Sequence, residues 1–377
     1  MEEVQTEKPR HPQGGGRLHY LDNLRIFALC LGVFVHGNGF LSAADQLPGI
    51  KIISANFRMA TFYFVAGYFA VMVVGKRGSL EFYKRRILAL GVPLLTGAIV
   101  LNAVNIPLKE SYRSYFLLRE GTDMVTPSVP PLLHLWFLVC LLAFVALTPL
   151  VIMLVKSKLV SEAVSTLALP HRAAASCFAL TTSVVVYCIG VRFISAELNL
   201  HFLVRSTLYF LPFYALGCLL FAYKEASSIF YRIDIPSIAM AIGLTIMGYL
   251  LPQDSGLQKI GFFGGRTAFQ CCITFGLLWF FRAHVNVSNS ITSMLSRSVY
   301  TIYILHYLLL TIVSALWIRI LPSNVIQNIV TSLIVCGLGL LIHIQLVERF
   351  ALFGFLLNGK LPEKQRAKRE GVAAMLP

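Results

Sequence analysis

Apolar runs of about 20 residues recur along the whole chain, separated by short polar segments that hold most of the Lys and Arg. A run of that length spans the hydrocarbon layer of a bilayer as an α-helix, at about 1.5 Å per residue. Such runs fall at 20–41, 52–74, 87–106, 132–155, 174–194, 203–223, 235–251, 260–281, 299–319 and 326–347. The pattern predicts an all-α polytopic membrane bundle of about ten transmembrane helices. The seventh run is the shortest. Residues 107–131, bounded by Pro107 and by Pro127, Pro130 and Pro131, read as a polar outer loop. No internal repeat and no separate soluble domain are visible. Residues 1–17 read as a disordered cytoplasmic tail, 18–356 as the membrane domain and 357–377 as a basic cytoplasmic tail. The first run is too long for a cleaved signal, and no small-residue cleavage site follows it.

Composition agrees with a membrane chain. Of 377 residues, 57% are hydrophobic and 13% charged, where soluble domains hold about 25% charged residues. Mean hydropathy is +0.73. The formal net charge is +15, but the cations sit in loops between apolar runs, which argues against nucleic acid and for the positive-inside rule. With the N-terminus in the cytoplasm, about 21 of the 32 Lys and Arg fall on the inner side and about 8 on the outer. Both termini are therefore expected in the cytoplasm. All eight Cys lie within apolar runs, none in a metal-spaced pair, and read as small buried hydrophobes. No metal site and no bound cofactor are expected.

Three arginines are left over from the two sides, each inside a run: Arg25, Arg58 and Arg266. Arg25 shares the first run with His36. They are eleven positions apart, roughly 16 Å along a helix and within roughly 20° of one face. Arg25 reads as a snorkelling anchor or as an inward-facing cation. His36, followed by Gly37 and Gly39, reads as a packed imidazole or as a general base. Arg58 lies early in the second run and suits a carboxylate, from the protein or from a ligand. Lys84, Arg85 and Arg86 form a cationic patch at the inner start of the third run, either a topology signal or a phosphate site. His134 and Trp136 open the fourth run from outside, and Trp136 suits an interfacial belt or a platform for a sugar ring. Tyr303 and His306 share a face of the ninth run, together with Ser298 and Tyr300 nearby. By depth His306 is expected in the inner layer with Arg25, and His134 and Arg58 in the outer layer with His36. No P-loop, GxSxG, HExxH or GxGxxG occurs. Interior polar groups of the Arg, His, Tyr and Trp type favour an anionic ligand.

The ordered set LDNLRIFALCLGVFVH, FRMATFYFVAGYF, KRRILALGVP, HLWFL, SVYTIYILH and VERF resembles acyltransferase family 3 of integral-membrane acyltransferases, over about 18–355. The likeness is greatest to the branch that succinylates periplasmic glucans. It implies a bacterial inner-membrane enzyme that moves a succinyl or acetyl group from cytoplasmic acyl-CoA to a carbohydrate hydroxyl. Arg25 and His36 match the family's Arg-x10-His motif, with His36 the essential histidine. Arg86 matches the first arginine of an Arg-x-x-Arg motif whose second position is Ala89 here. Donor binding then falls to Arg25, Arg86, Arg85 and Lys84. Substrate binding falls to Arg58, His134, Trp136, His306 and Tyr303. Expected partners are acyl-CoA, an envelope glucan, membrane lipids and other glucan-synthesis membrane proteins. A transporter of an anionic glycan or lipid-linked precursor is the alternative.

Overall fold

The computed structural model describes residues 18–41, 45–47, 49–50, 54, 57–120, 132–253, 255–317 and 324–361, with backbone alone at 112–113, 115–120 and 317. The expected tails at 1–17 and 362–377, and residues 121–131 of the expected loop, lie outside these. All regular structure among the described residues is helical. The helices are α1 (His19–Gly37), α2 (Arg58–Arg77), α3 (Ser79–Thr96), α4 (Asn102–Glu120), α5 (Trp136–Val155), α6 (Lys158–Leu167) and α7 (Ala173–Glu197). Then follow α8 (Phe202–Ala222), α9 (Ser227–Phe230), α10 (Ile235–Leu250), α11 (Gly256–His284), α12 (Ser290–Trp317), α13 (Val325–Ile342) and α14 (Ala351–Asn358).

Seven segments are long and apolar enough to cross a membrane: Arg58–Arg77, Ser79–Ser111, Leu133–Val155, Ala173–Glu197, Phe202–Ala222, Ser290–Leu316 and Val325–Val347. Lys224–Phe230 and Ile235–Leu250, bent by 50°, make an eighth if they form one broken span. α1 and α11 are long enough but too polar by the same measure. Their polar groups explain why: Asp22, Asn23, Arg25 and His36 in α1, and Lys259, Arg266, Gln270 and Arg282 in α11. Both face neighbours, since α1 packs on α2, α11, α12 and α13. Leu95, Ile99, Met153, Val186 and Leu333 are exposed on the outside, as lipid contact requires.

The expected loop at 107–131 is helical as far as Glu120. A single π-helical turn, Gly97–Leu101, joins α3 to α4, and α4 continues through Pro107. Proline removes one helical hydrogen bond, but the flanking turns are tied to α12. Thr311 Oγ1 donates to Asn105 Oδ1 at 2.7 Å, and Lys109 Nζ donates to the Tyr307 hydroxyl at 3.2 Å. These contacts hold the helix where composition alone reads loop.

The core is aromatic. Tyr63 packs edge-on to Phe144 with centroids 5.0 Å apart, and Phe144 stacks on Tyr214 at 4.9 Å. α2 and α8 cross with their backbones in contact at Gly67 and Gly217. A Cβ on Gly67 would meet the Tyr214 carbonyl, and one on Gly217 the Phe64 carbonyl. Glycine at both positions permits that approach.

Candidate active site

The site is built on α1, whose N-terminal end is pinned to the α11–α12 connection. Asn23 Nδ2 donates to the carbonyls of Val285 at 2.7 Å and Val287 at 2.9 Å, and Tyr20 N donates to Asn286 Oδ1 at 3.2 Å. The starts of α1 and α12 therefore lie side by side, and depths along them can be compared. His36 is seventeen residues past the start of α1, about 26 Å. His306 is sixteen residues past the start of α12, about 24 Å. The two rings meet, with centroids 5.3 Å apart.

The expected inner placement of His306 with Arg25 is thus wrong. α12 begins at Ser290, nine residues before the apolar run does. Asn289 Oδ1 accepts from Thr292 N at 2.8 Å, and Thr292 Oγ1 accepts from Asn289 N at 3.0 Å. This cap starts the helix in polar sequence that hydropathy does not count.

His134 comes from a single 3-10 turn, Leu133–Leu135, ahead of α5. Leu133 has φ of +46°, a left-handed conformation that costs a bulky residue about 1–3 kcal/mol. The Tyr303 hydroxyl donates to the His134 carbonyl at 2.9 Å and holds this turn against α12. The His134 ring lies 4.7 Å from His306 and stacks on Tyr307 at 5.2 Å, 8° from parallel. Both ring nitrogens of His134 are buried with no hydrogen-bond partner among the described residues. His306 therefore touches both other imidazoles, and the three rings come from three helical segments.

Arg58 opens α2 beside them. Its Nη1 is buried without a hydrogen-bond partner among the described residues. It lies over Gly32 of α1, one turn before His36; a Cβ there would come within 2.9 Å of it. At the other end Arg25 Nη1 is 3.7 Å from Asp22 Oδ1, and its guanidinium lies 5.9 Å from the Phe69 ring. Arg86 lies 5.9 Å from the Phe82 ring.

One cavity of about 520 Å³ joins these groups. Asp22, Arg25 and Arg86 line one end, and His36, Arg58, His134, Trp136 and His306 the other. Tyr300 and Tyr303 lie on its wall with an apolar middle that includes Phe62, Val65 and Ala66. Lys84 and Arg85 stay outside the lining: Lys84 is exposed, and Arg85 Nε is bound by Glu81 one turn earlier on α3. Two residues outside the sequence-based set adjoin these groups: Gly32 lines the cavity under Arg58, and Lys109 reaches Tyr307 without lining it. Lys109, buried on α4, sits 5.3 Å from the centre of the Tyr307 ring. That ring also faces His36 edge-on at 5.5 Å. Gly32 had a usable signal, since it shares the face of Arg25 and His36. Lys109 had none, lying in an apparent loop.

Cations at one end can hold an anion, while imidazoles roughly 16 Å away can move a proton. Residues 18–346 match the family model described as Acyltransferase domain. The chain belongs to that acyltransferase family. Curated relatives agree over nearly the full length of this acyltransferase. Glucans biosynthesis protein C of Salmonella heidelberg (strain SL476) and that of Salmonella typhi are each 25% identical to it. The protein of the same name from Salmonella schwarzengrund (strain CVM19633) is 24% identical. Each alignment covers 93% of this chain and 97% of the relative. No solved structure matches the chain. Family and helices together make it a multi-pass membrane acyltransferase.

Proposed function

We propose that this acyltransferase moves a succinyl or acetyl group from cytoplasmic acyl-CoA to a hydroxyl of a periplasmic glucan, across the bacterial inner membrane. The observation that carries the reading is the single cavity, cationic at the Arg25 end and imidazole-rich at the His36 end. In this reading ten helices cross the membrane and both termini are cytoplasmic. α1 and α11 are then spans too, with Asn23 of α1 and Gln270 of α11 buried inside the bundle while Lys259 and Arg266 of α11 are exposed. The names of the curated relatives support a glucan as acceptor.

Donor phosphates bind Arg25 and Arg86, with Lys84 and Arg85 adding positive potential at the entrance. The thioester extends along the apolar middle. A sugar hydroxyl enters from the other side, over Trp136. His36 takes the hydroxyl proton, and the oxygen attacks the thioester carbonyl. The C–O bond forms, the C–S bond breaks, and the thiolate leaves with the proton from His36. No Ser, Thr or Cys lines the cavity among the described residues, which favours direct transfer over an acyl-Ser or acyl-Cys intermediate. Arg58, with its unmet donor, is the site for the free carboxylate of a succinyl group. Incubating purified protein with acyl-CoA and glucan tests the assignment. Release of CoA that depends on glucan is expected. Glucan movement without CoA release would point instead to a transporter.

A further inference from the structure

We infer that His306 is a positioning residue for His36: it accepts a hydrogen bond that decides which ring nitrogen of His36 carries the proton. The inference rests on the proposed role of His36 as base. His306 Nδ1 lies 2.6 Å from the carbonyl oxygen of Tyr303, one turn earlier on α12. A carbonyl only accepts, so Nδ1 holds the hydrogen. In the neutral ring Nε2 is then a bare lone pair. The ring is buried, lines the cavity and lies 5.3 Å from His36 by centroids, 45° from parallel.

His36 is the ring that needs such a partner. Among the described residues it makes ring contacts but no hydrogen bond. A histidine base works from one tautomer, set by what its other nitrogen bonds. His134 touches His306 too, but its ring is already oriented by stacking on Tyr307, 8° from parallel. A small turn of the His36 side chain brings one ring N–H onto His306 Nε2. The other nitrogen then faces the cavity with its lone pair free. During transfer that nitrogen takes the hydroxyl proton and gives it to the departing thiolate. The N–H on the His306 side stays in place, and His306 neither gains nor loses a proton.

Three variants of the full chain separate this role from packing. His306→Gln places an amide oxygen near the position of Nε2. His306→Asn reaches only the position of Nδ1, and His306→Leu keeps bulk without an acceptor. Initial rates of glucan-dependent CoA release in detergent are the readout. His306→Asn and His306→Leu should lower kcat at least about tenfold, with KM for acyl-CoA within about twofold of the parent. His306→Gln should recover most of that loss. His306→Gln as slow as His306→Leu at unchanged KM would overturn the inference, and so would full activity in His306→Leu. Unchanged KM shows that a variant is folded, and the polar Asn variant controls for burying an amide. If the parent protein released no CoA with glucan, the proposed function itself would fail. A parent that turns over with indifferent variants would sink only the role of His306.

Discussion

Arg58 and His36 carry the sharpest consequences at the scale of single residues. A buried donor left unmet costs about 1–3 kcal/mol, and more when charged. Nη1 of Arg58 is such a donor among the described residues, so a carboxylate that reaches it removes a penalty as well as adding an ion pair. Arg58→Ala should therefore lower kcat/KM for succinyl-CoA at least about tenfold more than for acetyl-CoA. An equal loss for both donors would make Arg58 a structural cation. His36→Ala should cut CoA release by roughly 100- to 10,000-fold, the usual contribution of a general base. Membrane insertion should be unaffected, because the His36 ring forms no hydrogen bond among the described residues. Measurable turnover near the parent rate would remove it as the base.

At the scale of elements, helix crossings decide what each position tolerates. Gly217 meets the α2 backbone, whereas Gly190 on α7 has open space around it. Gly217→Leu should lower the melting temperature in detergent, since forced overpacking costs about 1–3 kcal/mol or more. Gly190→Ala should leave it unchanged or raise it, because glycine inside a helix is worse than alanine by roughly 0.5–1 kcal/mol. A scan of both variants that gave the same sign would contradict the crossing. The elements also show where sequence reading stops. Arg25 and His36 were legible together because one helix repeat relates them. Hydropathy alone sets His306 too near the inner end, because the Asn289 cap extends α12 into polar sequence. Lys109 carries no local signal, because Pro107 and mixed charge look like a loop, while the contacts that keep α4 helical lie on α12. The seat of Arg58 on Gly32 joins two helices far apart in sequence and leaves no local trace.

At the scale of the molecule, the account depends on one cavity serving two sides of the membrane. Its apolar stretch passes Ala66. Ala66→Trp should block the passage of the thioester and abolish transfer, while the protein still inserts and keeps both charged ends. Retained transfer in that variant would mean that donor and acceptor do not meet through this cavity. The most direct measurement uses sealed proteoliposomes with protein in one orientation, acyl-CoA on the side of the termini and glucan on the opposite side. The account predicts acylated glucan on the glucan side and free CoA on the donor side. Acylation only when both substrates share one side, or glucan crossing the membrane unacylated, would contradict it.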